Sequence, residues 1–231
     1  MAHKKKYKSI GEILSKDHFR VSMFGSARIK GNDKTYKLIH ELTRQLGRRE
    51  INLVTGGGPG LMKAAHEGHH LGSMENDAYS IGLVIHLPNK IETENKVPKI
   101  KKDFKFFSAR LEHFIALSNA VIVAPGGIGT LLELSYTWQL IQICHIYKIP
   151  VILFGEMWGG LIKWMKETML KEHYIDKEDM EYIFIAYDVE DVLEIISAEK
   201  KEFAKGKKNL NMNLIKKKIR AHYFKHSHKL I

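Results

Sequence analysis

Short β-branched runs alternate along this chain with longer segments whose apolar residues recur at helical spacing, and no other feature constrains the fold as tightly. Such alternation builds βαβ units, whose crossovers make neighbouring strands parallel. Strands are expected at 20–24, 52–55, 80–87, 120–124, 150–154 and 182–186, with a short aromatic extended piece at 104–107. The run at 120–124, AVIVA, has the unbroken apolar character of a strand buried on both faces. Helices are expected at 33–48, after Gly60 to about Glu67, at 108–119, after Thr130 to about Tyr147, at 158–171 and at 189–198. Residues 88–103 read as a polar, lysine-rich loop. The pattern predicts an α/β, doubly wound, mainly parallel open sheet of about seven strands flanked by helices, with ligands at the carboxyl ends of the strands.

Two glycine-rich turns fall at those carboxyl ends. Gly56-Gly57-Gly58-Pro59-Gly60 follows Thr55, and Pro125-Gly126-Gly127-Ile128-Gly129-Thr130 follows Ala124. Without Cβ atoms, such turns let backbone N–H groups close on an anion, and the helix that follows adds the positive end of its dipole. One such turn is weak evidence, because tight strand–helix packing also selects glycine. Two on one sheet point to a phosphate. Neither is a Walker A loop, since no Gly-Lys-Ser/Thr follows, and neither is GxGxxG with an acid about 20 residues on. A mononucleotide phosphate remains.

The run Pro125-Gly126-Gly127-Ile128-Gly129-Thr130-Leu131-Leu132-Glu133 resembles the PGGxGTxxE motif of the LONELY GUY (LOG) family, whose members often carry a lysine decarboxylase label. The resemblance extends to Gly25-Ser26-Ala27-Arg28, to 55–62, to Ile81-Gly82-Leu83 with Leu87-Pro88, and to 107–110, covering roughly residues 20–197. It implies a Rossmann-like homo-oligomer, a dimer or higher. It also implies hydrolysis of the N-glycosidic bond of AMP or of cytokinin riboside 5′-monophosphates, giving free base and ribose 5-phosphate. Carried onto this chain, the catalytic pair is Glu133 with Arg110. The nucleotide-binding residues are Gly25, Ser26, Gly56, Gly57, Gly58, Gly60, Gly126, Gly127, Gly129 and Thr130. Two positions depart from the family's pattern: Leu111 stands where lysine is usual and Phe114 where methionine is.

Read from its residues, Glu133 is expected in the first turn of the helix after the second glycine loop, where the dipole would lower its pKa and keep it ionised. A carboxylate there stabilises the cationic character that develops when a glycosidic bond breaks, or it merely complements the dipole. Arg110 would orient that carboxylate or hold phosphate oxygens.

The net charge of +11 resembles a nucleic-acid signature until it is mapped. A basic N-terminal arm (1–19) and a basic C-terminal tail (199–231, eleven Lys/Arg against two acids) flank a nucleotide-binding domain (20–198) that is close to neutral. Within the tail, LIKKKIRAHYF could form a basic helix with an apolar face. No apolar run approaches the ~20 residues that span a bilayer, so no membrane is expected. Cys144, the sole cysteine, falls in an apolar helical pattern and suits a reducing cytoplasm.

No metal and no cofactor are expected. His66-Glu67-Gly68-His69-His70 spells HExxH, but zinc chemistry needs a continuous helix, and Gly68 is expected to cap it. Pyridoxal chemistry would need a lysine beside a glycine loop, and Lys63 lies already inside the helix. Two other functions compete with a hydrolase of purine nucleoside monophosphates. One is a non-enzymatic carrier of a nucleotide or of the molybdenum cofactor, which would need the loops but not Glu133. The other is a nucleic-acid-binding protein acting through the basic tails, whose binding would fall steeply with salt.

Overall fold

The computed structural model describes residues 18–85 and 97–206. The strands are β1 (Arg20–Phe24), β2 (Asn52–Thr55), β3 (Ser80–Ile85), β4 (Ile100–Phe104), β5 (Ala120–Val123), β6 (Val151–Phe154) and β7 (Ile183–Ala186). The helices are α1 (Lys34–Arg48), α2 (Leu61–Gly72), α3 (Phe107–Leu117), α4 (Ile128–Gln142), α5 (Met157–Trp164) and α6 (Val189–Ala204). The strands form one parallel sheet of order β4-β3-β2-β1-β5-β6-β7, the α/β Rossmann-like architecture expected.

Strand alternation divides the core in two. Val21, Met23, Leu53, Ile122 and Ile152 face α1, α2 and α6, while Val54, Ile81, Val121, Val123 and Val151 face α3, α4 and α5. Both faces of the central strands are therefore covered, which explains their unbroken apolar runs. Asp33 and Asp188 open α1 and α6 as side-chain caps, accepting from the N–H groups of Thr35 and Asp191.

Five elements differ from expectation. α2 runs on through Gly68 to Gly72, and Ser73 caps it through bonds to the carbonyls of His69 and His70. Gly68 and Gly72 are one helical turn apart and abut the backbones of His40 and Arg44, so they serve a close crossing with α1 rather than a helix end. β4 occupies part of the lysine-rich stretch read as loop. It is an edge strand with Lys101, Lys102 and Asp103 in register with β3, so polar residues are tolerated there. α4 stops at Gln142 instead of continuing past Cys144. Cys144 takes a positive φ of 54°, and the N–H groups of Cys144 and His145 bond the carbonyls of Ile141 and Leu140, a Schellman closure built without glycine. The last helix runs through Ala204 rather than ending at Ala198, and α5 continues as a π-helical turn, Met165–Leu170. Residues 1–17, residues 86–96 with Leu87-Pro88, and LIKKKIRAHYF lie outside the described residues.

Candidate active site

The strand order reverses beside β1. From β1 the chain winds outward through β2, β3 and β4, then returns to place β5 on the other side of β1. Loops leaving β1 and β5 therefore diverge and open a crevice at their carboxyl ends. Three loops meet there. The Ser26 N–H donates to the Pro125 carbonyl (3.0 Å), the Leu61 N–H donates to the Ser26 carbonyl (2.9 Å), and the Ser26 hydroxyl accepts from the Arg28 N–H (3.1 Å). Gly60, at φ 66°, lies so close that any Cβ would strike the Ser26 carbonyl and the Ala27 backbone. Only glycine allows the first two loops to lock together.

The crevice encloses a cavity of about 460 Å³. One wall is the N-terminus of α4, where Gly127, Ile128, Gly129 and Thr130 line the space and no side chain caps the helix. Such an end presents unpaired N–H groups and a partial positive charge to whatever occupies the cavity. Gly25, Ser26 and Arg28 form a second wall, and Gly56 with Met62 a third.

Arg110 and Glu133 also line it. An Arg110 Nη2–H donates to Glu133 Oε1 at 3.2 Å, and both residues are 8% exposed. The guanidinium sits 4.5 Å from the centroid of the Phe107 ring, which holds the cation by its face and fixes its plane. α3 thus supplies the arginine and its aromatic support, while α4 supplies the carboxylate. Burial pushes Glu133 up to about 7, and the charge of Arg110 opposes that rise. The expectation of a lowered pKa in a first turn is corrected on both counts. α4 begins at Ile128, so Glu133 stands in its second turn, where desolvation outweighs the dipole.

Of the residues singled out from the sequence, Gly25, Ser26, Gly56, Gly127, Gly129, Thr130, Arg110 and Glu133 are brought together around the cavity. Gly57, Gly58, Gly60 and Gly126 stand behind it: Gly57 packs on Gly82 and Val84 of β3, and Gly126 on the Thr130 side chain. Arg28, Met62, Phe107 and Ile128 line the cavity without having been singled out, although each falls inside a segment that carried the resemblance. Leu111 and Phe114 are buried, and neither lines the cavity; Phe114 meets Phe24 edge-on, and its ring centroid lies 5.8 Å from the Arg110 guanidinium.

The HExxH residues do not converge. His66 Nε2 lies 2.8 Å from the Thr55 hydroxyl in the core, Glu67 accepts from the Tyr36 hydroxyl, and His70 is exposed. Among the described residues no group of three His, Cys, Asp or Glu could hold a metal. Lys63 is exposed and faces Glu67. No helix among the described residues is long and apolar enough to cross a membrane.

Residues 62–196 match the family described as possible lysine decarboxylase, which is the LOG family. The chain belongs to that family. Among curated relatives, the LOG-family chain is 34% identical over 131 residues to the pyrimidine/purine nucleotide 5′-monophosphate nucleosidase of Escherichia coli K12. The match covers 54% of this chain and 28% of that protein, so the chain spans little more than a quarter of the relative's length. Among solved structures, the X-ray structure of TM1055, a structural genomics target, aligns with TM-score 0.59 at 21% identity, covering 78% of this chain and 98% of that one. The molybdenum cofactor carrier protein of Chlamydomonas reinhardtii aligns with TM-score 0.57 at 20% identity, covering 81% and 99%. Both show the shared fold.

Proposed function

We propose that this LOG-family protein hydrolyses the N-glycosidic bond of purine nucleoside 5′-monophosphates, AMP or a cytokinin riboside 5′-monophosphate, to free base and ribose 5-phosphate. The observation that carries the reading is the buried Arg110–Glu133 pair facing the same cavity as the uncapped N-terminus of α4. The N–H groups of that helix end suit the 5′-phosphate, with Arg28 as a second counter-charge at the rim. The 34% identity to a nucleotide 5′-monophosphate nucleosidase supports the substrate class.

The chemistry follows from charge. As the C1′–N bond breaks, its electron pair leaves with the base and positive charge develops on the ribose. Ionised Glu133 stabilises that charge, and water adds to C1′ and gives up a proton as the base gains one. Arg110 lowers the pKa that burial raises, so that part of Glu133 is ionised near neutral pH, and holds its carboxylate in place. A carrier would need the loops but would gain nothing from a desolvated carboxylate in the cavity. Exposed Ile128, Leu131 and Leu132 on α4, beside the cavity mouth, suit burial in the homo-oligomer that the resemblance implies.

Incubation with a panel of nucleoside 5′-monophosphates, with released base measured by chromatography, tests the reading. Purine release from AMP is the expected result. Tight nucleotide binding without base release from any member of the panel would replace the hydrolase with the carrier.

A further inference from the structure

A second cavity, of about 710 Å³, opens at the opposite, amino edge of the sheet. Three helices end around it: Ile115 and Ala116 close α3, Cys144 and His145 follow α4, and Phe203 and Gly206 stand at the end of α6. Each helix end contributes the negative end of its dipole, so the cavity favours a cation, whereas the crevice at the other edge favours an anion.

Glu199 adds a full charge. It lines this cavity at 5% exposure, and its Oε2 has no hydrogen-bond partner among the described residues. A buried carboxylate oxygen without a partner is costly and normally marks a missing group. Three neighbouring lysines are engaged elsewhere. Lys200 donates to the carbonyls of Arg49 and Glu50, Lys205 pairs with Glu202, and Lys148 lies over the Tyr182 ring.

Gly206 lines the cavity and leads directly into residues 207–231, which hold eight Lys/Arg and no Asp or Glu. That segment also carries Leu214, Ile215, Ile219, Tyr223 and Phe224, apolar residues matched to the apolar walls Ile115, Ile149 and Phe203. We propose that this cavity is the docking site of residues 207–231 of the same chain, with a Lys or Arg of that segment paired to Glu199. The basic tail is then a structural anchor at the amino edge, and its charge balances a buried acid. This inference does not depend on the proposed hydrolase.

Cys144, the chain's sole cysteine, is exposed and lines the cavity, which provides a clean probe. The full-length protein, mixed as isotopically light and heavy chains, is treated with a short thiol–amine cross-linker and mapped by mass spectrometry. Links from Cys144 to Lys216, Lys217, Lys218, Lys225 or Lys229 within one chain are expected. A link to neighbouring Lys148 serves as the labelling control. In Glu199→Gln the tail links should fall about tenfold or more, as when a charge-assisted hydrogen bond is lost, while the Lys148 link persists. Absence of tail links in the wild type, tail links unaffected by Glu199→Gln, or tail links only between light and heavy chains would each overturn the proposal. Melting gives an independent readout at pH 8. Loss of a pairing makes Glu199→Gln melt lower than wild type, whereas removal of an unpaired buried charge would leave the midpoint unchanged or raise it, against the proposal.

Discussion

Glu133 and Glu199 are two buried glutamates on helices that cover opposite faces of one sheet, and burial pushes both up to about 7. They differ in what surrounds them. Glu133 faces Arg110 across 3.2 Å, lies on the helix whose uncapped N-terminus lines the same cavity, and sits at the carboxyl edge where the strand order reverses. Glu199 sits at the amino edge among helix C-termini, and its nearest charged influence is Glu202, which raises its pKa further. On the proposed roles, burial and a shifted pKa therefore do not distinguish the reacting group from the anchoring one. The partner charge and the sign of the surrounding helix ends do.

Four measurements sharpen or break this contrast. The largest effect belongs to Glu133→Gln, which removes the charge and keeps the shape. Base release from AMP should fall on the order of 10²–10³-fold or more, while cooperative melting is retained. Wild-type turnover in that variant would end the catalytic assignment.

Next comes the phosphate. Because the α4 N-terminus and the locked loops bind remotely from the breaking bond, kcat/KM for adenosine should lie roughly 10²-fold or more below that for AMP, with kcat reduced as well as affinity. Equal rates on nucleoside and nucleotide would show that the helix end binds no phosphate.

The third effect concerns pH. The folded carboxyl of Glu133 titrates near 7, above its ordinary 4.5, so the ionised form required for catalysis accumulates as pH rises from 6 to 8, and kcat should rise with it. Arg110 pulls this pKa down. Arg110→Gln should therefore move the midpoint of the pH–rate profile upward and lower the rate at pH 7 by about tenfold, with part of the loss recovered at higher pH. A profile that falls through pH 7 would mean that Glu133 acts in its protonated form.

The smallest effect completes the contrast. Glu199→Gln should leave kcat and KM for AMP within about twofold of wild type, because its cavity lies across the sheet from the reacting centre. A large loss of turnover, with folding intact, would couple the two edges.

Much of this was legible in the chain itself. Unbroken apolar runs such as AVIVA marked strands covered on both faces, and the periodicity between them marked the helices. The glycine loops with Arg110 and Glu133 marked the carboxyl edge. These signals are local, so a linear reading finds them. Where the reading failed, the cause was contact between distant segments. Gly68 resembled a helix stop because its role is to admit the backbone of His40, which only the α1–α2 crossing brings near. Lys101 and Lys102 looked like loop because edge pairing with β3 is decided by the neighbour rather than by their own propensity. Cys144 closed a helix in a conformation usually left to glycine.

The sequence by itself determined the parallel α/β class, the two glycine-rich turns at its carboxyl edge and, through the family resemblance, the positions of Arg110 and Glu133, because motif and residue type are properties of the chain. Tertiary structure alone decided that Glu133 is desolvated until its pKa nears neutrality, that Phe107 underlies Arg110, and that Glu199 faces a cavity among three helix ends. Those properties depend on which atoms exclude water and which charges come within a few ångströms, and only the folded chain fixes either.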